Sequence, residues 1–224
     1  MFNLGLYSYG VVLSLGLMAG LYYFWKMGKD EHWVEISLFD TFFLSLLGYW
    51  IAGRVGYAIL HPQEIETFWS AFAVISRPGI EEIAGLGGGV AIFFLVAWVK
   101  GWSLWKAADL GAVALSLILI FGILAGLIQN LSSWWLAAVR LGWALVTFGV
   151  VARVKKEFRF YQWYKGYLSV ARDGLAALTF LFSLGLYVIG AAIVSWPNWI
   201  AAVQGGVIAS VAICGIIYRS ARRK

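Results

Sequence analysis

The chain is short of charge, cysteine, proline and histidine, and each shortage excludes something. Charged residues fill 12% of its 224 positions, against about 25% in a soluble domain. Hydrophobic residues fill 62%, and mean hydropathy is +0.83. A soluble globular fold is therefore excluded, and the core must be built against lipid. The lone cysteine, Cys214, excludes an internal disulfide and reads as small-residue packing in an apolar run. None of the three prolines breaks an apolar run, and no carboxylate falls at mid-span. Both facts count against a transporter with interrupted helices. No His/Cys/Glu spacing suggests a metal, and no Ser/His/Asp arrangement stands out. Nothing in the sequence calls for a cofactor. The net charge of +6 does not point to nucleic acid, because membrane proteins collect basic residues on cytoplasmic loops.

What is present is a series of apolar runs. A span needs about 20 such residues. The pattern predicts an all-α protein with seven spans: Leu4–Trp25, Leu38–Leu60, Ile83–Val99, Ala107–Leu131, Ser133–Ala152, Gly174–Trp196 and Trp199–Tyr218. They form a single seven-span transmembrane domain over residues 1–224, with no soluble domain. No cleavable signal peptide is evident, since the first run is long enough to span. With the N-terminus outside, the inner segments carry Lys26, Lys29, Lys100, Lys106, Arg153, Lys155, Lys156, Arg159, Lys165, Arg172, Arg219, Arg222, Arg223 and Lys224. The outer segments then carry only Arg77. This bias predicts an N-out, C-in topology. The long outer loop is acidic (Glu64, Glu66, Glu81, Glu82) and aromatic (Phe68, Trp69, Phe72), which suits a segment resting at the interface.

Two cations remain, and both lie inside spans. Arg54 is six residues before the outer end of the second span, roughly 9 Å deep at 1.5 Å per residue. Arg140 in the fifth span is roughly 10 Å below the same surface. A guanidinium cannot shed its charge, so each is a candidate functional group. If the two face each other, a phospholipid phosphate is the anion that suits them. The alternative is that each snorkels outward independently. Tyr57 and His61 follow Arg54 at three and seven residues, on one helix face. With Tyr9 near the outer end of the first span, they outline a polar cluster of Tyr9, Arg54, Tyr57, His61 and Arg140; a plain interfacial histidine is the other reading of His61. The run Gly85-Leu86-Gly87-Gly88-Gly89 is not a phosphate loop, since no lysine follows. Its glycines admit either a close helix contact or a ligand, and Ala52-xxx-Gly56 and Gly122-xxx-Gly126 read as helix contacts. Asp109 suits the N-terminus of its own helix, a structural role.

These residues bear a family resemblance. Tyr7-Ser8-Tyr9-Gly10-Val11 to Gly16 resembles the I-x-x-Y-G-L-x-x-x-x-G opening of prolipoprotein diacylglyceryl transferases, and Gly53-Arg54-Val55-Gly56-Tyr57 resembles their G-A-R-L-G-Y. Gly79 to Gly89 falls where the family has G-G-x-S-F-H-G-G-L-x-G, and Ala108-Asp109-Leu110 resembles x-D-x-x-A-P. The resemblance covers roughly residues 5 to 130 in order. It implies a seven-span enzyme of the bacterial cytoplasmic membrane. That enzyme would transfer the diacylglyceryl group of phosphatidylglycerol to the lipobox cysteine of a prolipoprotein, releasing glycerol-1-phosphate. Its partners would be phosphatidylglycerol and a prolipoprotein signal segment, with no nucleic acid.

Carried over by motif, the resemblance assigns Arg54 and Tyr57 to catalysis and Tyr9 to the substrate cleft. His61 or a loop glutamate (Glu81, Glu82) is added as a candidate base, and Arg140, Gly85 and Gly89 as substrate-binding positions. The family's histidine falls at Ala84, and its later arginine, asparagine and glutamate fall at Ile123, Gly126 and Leu131. The late R-F-x-x-E motif has no counterpart; Gly185 to Ala192 carries no charge there. Position 123 shares the depth of Arg140, which is expected to supply the second phosphate-binding cation. The other reading is a catalytically silent relative that binds phospholipid or a lipoprotein signal segment.

Overall fold

A computed structural model describes residues 4–64, 79–129, 134–164, 173–194 and 199–221. Most of the outer loop, with Glu66, Phe68, Trp69, Phe72 and Arg77, lies outside these residues, as do Leu131, Ser133 and Trp196 at the expected span ends. Among the described residues there are seven α-helices, one 3-10 turn (Pro62–Glu64) and no strand. The helices are α1 (Leu4–Asp30), α2 (Glu35–Leu60), α3 (Glu82–Val99), α4 (Leu104–Gln129), α5 (Trp134–Tyr164), α6 (Leu175–Val194) and α7 (Trp199–Ala221). Each contains a segment long and apolar enough to cross a membrane. This is the expected all-α, seven-span architecture.

Two helices run further than their apolar stretches. α1 continues through Lys26 to Asp30, and α5 continues past Ala152 through Lys155 and Lys156. Polarity marks where lipid ends. It does not mark where a helix ends, because lysine, arginine and glutamate are themselves good helix formers.

The chain divides into two compact units, Gly28–Ala107 and Met1–Met27 with Ala108–Lys224. In the smaller unit, α1 and α3 end in the same way. Past Asp30, Trp33 N–H donates to Gly28 C=O (3.1 Å) and His32 N–H to Lys29 C=O (3.0 Å). Past Val99, Trp102 N–H donates to Ala97 C=O (2.9 Å) and Gly101 N–H to Trp98 C=O (3.0 Å). Both are Schellman caps, whose turn residue must adopt positive φ: His32 at 61° and Gly101 at 70°. The two caps deliver Trp33 and Trp102 to each other, stacked at 4.1 Å and 7°. The Lys106–Glu31 pair at 3.0 Å closes the same end.

In the larger unit, α1 packs on α4 through Gly16 against Phe121 and Gly20 against Ile118. Val113, Val151, Ala176 and Phe180 form a core between α4, α5 and α6. α6 and α7 cross where Gly185 meets the Gly205 carbonyl and Ala209; a Cβ on Gly185 would lie 2.7 Å from Ala209 N. Asp109 departs from expectation. α4 starts five residues before it, so it does not cap its own helix. It is 4% exposed, and its two oxygens accept from Gly174 N–H (2.7 Å) and Ala177 N–H (2.9 Å). A buried carboxylate needs donors, and the unpaired N–H groups at the start of α6 supply them. Asp109→Ala should destabilise the protein by about 1–3 kcal/mol, read as a lower thermal midpoint in detergent, with Asp109→Asn in between. An unchanged midpoint in Asp109→Ala would show that the staple carries no stability.

Candidate functional site

The site in the smaller unit begins with a seam of small residues. α2 and α3 run antiparallel along it. Gly56 meets Ala84, Ala52 meets Gly88, and Gly48 meets Ile92, so each step rises four residues on one helix and falls four on the other. A Cβ on Gly48 would lie 2.6 Å from Ile92 Cγ1 and one on Gly88 would lie 2.7 Å from Gly48 O. Without side chains in the way, the backbones come together and dispersion contacts replace them. Gly85 and Gly89 belong to this seam. Gly85 is buried against the Tyr49 ring, and Gly89 faces Ser45 O and Tyr49. Of the two uses open to these glycines, the geometry displays helix contact.

The seam delivers Arg54 to its place. Gly53 is packed under Ile80, Glu81 and Gly85, and Glu81 N–H donates to Gly53 C=O at 2.9 Å. The chain entering α3 is thereby laid across α2. Arg54, one residue on, is 1% exposed and is the largest fully buried side chain among the described residues. Its Nη1 donates to Gly79 C=O at 2.7 Å. Its Cζ sits 5.4 Å from the Tyr57 ring centroid. Tyr57 in turn stacks on His61 at 4.4 Å and 19°. Gly79 has no Cβ because the Tyr57 ring occupies that space.

Arg54, Tyr57 and His61 thus form one column, as their spacing implied. It runs from a buried guanidinium to an exposed imidazole at the end of α2, where His61 N–H caps the helix on Tyr57 C=O at 2.9 Å. The Gly79 carbonyl as the arginine's partner was not legible in the sequence. The signal available was a glycine placed just before a span, 25 residues from the arginine. Glu81 is half-buried with its stem against Gly56, whereas Glu82 is exposed. Tyr9 and Arg140 belong to the larger unit: Tyr9 is half-buried on α1, and Arg140 is exposed on α5. Among the described residues no cluster of histidine, cysteine and carboxylate could hold a metal.

Chemically, the column offers a permanent cation in a dry place, with an aromatic face and a titratable ring leading out to the helix end. Fold and site together define a multi-pass membrane protein with a buried arginine roughly 9 Å from the end of its span. A profile of the prolipoprotein diacylglyceryl transferase family matches residues 1–222, and the chain belongs to that family. It is 29% identical over 116 residues to the phosphatidylglycerol–prolipoprotein diacylglyceryl transferase of Bacillus licheniformis, covering 49% of this chain and 40% of that protein. It is 23% identical over 129 residues to the protein of the same name from Clostridium tetani, covering 54% and 49%. The chain thus spans less than half the length of these curated relatives.

The seam makes a sharp prediction, because neighbouring glycines differ. A Cβ on Gly87 meets nothing within 4 Å, whereas one on Gly88 meets Ala52 and Gly48 O. Gly87→Ala should hold or raise the thermal midpoint, by up to about 1 kcal/mol of helix propensity. Gly88→Ala should lower it by about 1–3 kcal/mol through overpacking. Equal effects at the two positions would contradict the seam.

Proposed function

We propose that the protein transfers the diacylglyceryl group of phosphatidylglycerol to the lipobox cysteine of exported prolipoproteins, in the bacterial cytoplasmic membrane. The observation that carries the reading is the buried Arg54 column, set in the G-R-V-G-Y motif of a chain that belongs to this family. The names of both relatives support the donor and the acceptor. In the reaction the thiol loses its proton, sulfur bonds to the glyceryl carbon, and the carbon–phosphate oxygen bond breaks. Glycerol-1-phosphate leaves with the electron pair. Arg54 would hold the developing phosphate charge where water is scarce and each hydrogen bond counts for more. Arg140 would be the second cation. Tyr57 and Tyr9 would position the headgroup, His61 would accept the proton, and Gly85 and Gly89 would serve the site indirectly, by holding α3 against α2. The lysine-rich segments would face the cytoplasm, and the column would then lie in the outer leaflet.

A second reading has a specific observation behind it. The family's histidine position is Ala84, whose methyl already abuts Gly56. An imidazole there would have to push α2 and α3 apart. A relative without that histidine could bind phospholipid or a lipoprotein signal segment and catalyse nothing. Incorporation of labelled diacylglyceryl from phosphatidylglycerol into a lipobox peptide separates the two readings. Wild type should incorporate label, and Arg54→Ala should do so at least roughly 100-fold more slowly. No incorporation by wild type under saturating lipid would refute the transferase and leave the binder.

A further inference from the structure

Arg54 is closed to the membrane. Its whole side chain is 1% exposed, so no edge of the guanidinium can be touched from lipid or water. Three residues just before α3 lie across it. Gly79 C=O accepts from Nη1 at 2.7 Å. Ile80 rests its side chain on Gly53, with Cγ2 2.5 Å from where a Cβ would be. Glu81 N–H donates to Gly53 C=O at 2.9 Å. The Tyr57 ring stands where Gly79 would carry a Cβ, so the crossing fits only because position 79 has none.

These three residues are set apart from the helices they join. They carry no regular secondary structure, and Ile80 is 37% exposed. The α2–α3 seam holds without them, since Gly56–Ala84, Ala52–Gly88 and Gly48–Ile92 all lie within the two helices. Lifting the segment breaks its two hydrogen bonds and the Ile80 contact, and unwinds no helix. Segments with few contacts of this kind open first. The acceptor given up at Gly79 is a neutral carbonyl. A phosphate oxygen is a stronger acceptor for a guanidinium, because the bond is then charged on both sides. A ligand that binds only the open state shifts the balance toward that state by its differential affinity.

We propose that Gly79–Glu81 is a strap. It keeps Arg54 covered in the lipid-free protein, and a phospholipid phosphate opens it by taking the place of the Gly79 carbonyl. Ile80 and Glu81 are its two fastenings on Gly53. The strap presupposes the reading of Arg54 as a phosphate-binding group, and adds that this group is shut away until lipid arrives.

Cross-linking reads the closed state directly. With Ile80 Cγ2 2.5 Å from a Cβ built on Gly53, the two Cβ atoms lie within about 4 Å, inside the reach of a disulfide. The next neighbours of that Cβ, Glu81 O and Gly85 Cα, stay 3.1 and 3.3 Å away. Gly53→Cys/Ile80→Cys, in the full chain with Cys214→Ala, should oxidise readily in lipid-free detergent. Phosphatidylglycerol should slow that oxidation roughly tenfold, and a diacylglycerol of the same chains, which lacks the phosphate, should not. Diacylglyceryl transfer should be lost in the oxidised protein and return on reduction. Should the cysteine pair fail to fold, Gly79→Ala decides, because its Cβ meets the Tyr57 ring and should push the strap off. An arginine-selective dicarbonyl, with modified peptides mapped by mass spectrometry, should then label Arg54 roughly tenfold faster than in wild type, with exposed Arg140 as the internal reference. Oxidation indifferent to phosphatidylglycerol, equal slowing by diacylglycerol, or unchanged Arg54 labelling in Gly79→Ala would overturn the strap. So would transfer by the oxidised protein, which leaves the transferase reading intact. Lipid-dependent oxidation with no transfer in any form refutes the transferase and leaves the strap standing.

Discussion

A guanidinium buried in an apolar span constrains the smaller unit more than any other group in it. Arg54 cannot become neutral, so the fold has to give it acceptors. It does so with the Gly79 carbonyl, which is brought within reach because Gly53 allows the chain entering α3 to lie flat on α2. Tyr57 completes the arrangement by offering its ring face to the cation, and its ring in turn requires position 79 to be glycine. The glycines at 53, 56, 79, 85 and 88 are therefore parts of one solution to one problem, the housing of a charge.

The same packing limits what position 84 can hold. A zipper in which Ala84 abuts Gly56 and Ala52 abuts Gly88 has no room for an imidazole at position 84. An alanine at position 84 and the tightness of the seam thus go together physically. Dispersion between close backbones holds the two helices together. On α5 and α6 the polar groups follow a different logic. Thr147 and Ser183 satisfy each other in the apolar interior, while Trp143 and Tyr187 stack one turn further along the same pair of helices.

Much of the architecture could be read from residue type alone. Seven apolar runs correspond to seven helices among the described residues, because in lipid a span must satisfy its own backbone hydrogen bonds. The column of Arg54, Tyr57 and His61 was legible for a similar reason, since helical periodicity fixes which side chains share a face. Contacts between helices were legible only in part: Ala52 and Gly56 do lie in the α2–α3 seam, whereas a Cβ on Gly122 or Gly126, also read as contact positions, would meet nothing within 4 Å. Asp109 looked like a cap for its own helix and proved to be the cap of α6, 65 residues away. One partner of Arg54 is a backbone carbonyl, which leaves no trace in side-chain chemistry. Where helices end was hidden too: His32 takes a left-handed conformation that glycine usually fills, so the cap that brings Trp33 onto Trp102 carried no sequence flag.

Arg54 anchors the entry to α3, and in the proposed function it would also carry the charge that a phospholipid phosphate meets. Thermal unfolding of wild type and Arg54→Gln, each with and without added phosphatidylglycerol, tests both halves together. The variant should melt at a lower temperature in lipid-free detergent, because the Gly79 carbonyl loses its charged donor, a loss of about 1.5–3 kcal/mol. It should also gain markedly less from added lipid than wild type does. A variant that melts like wild type and gains as much from the lipid would contradict the account.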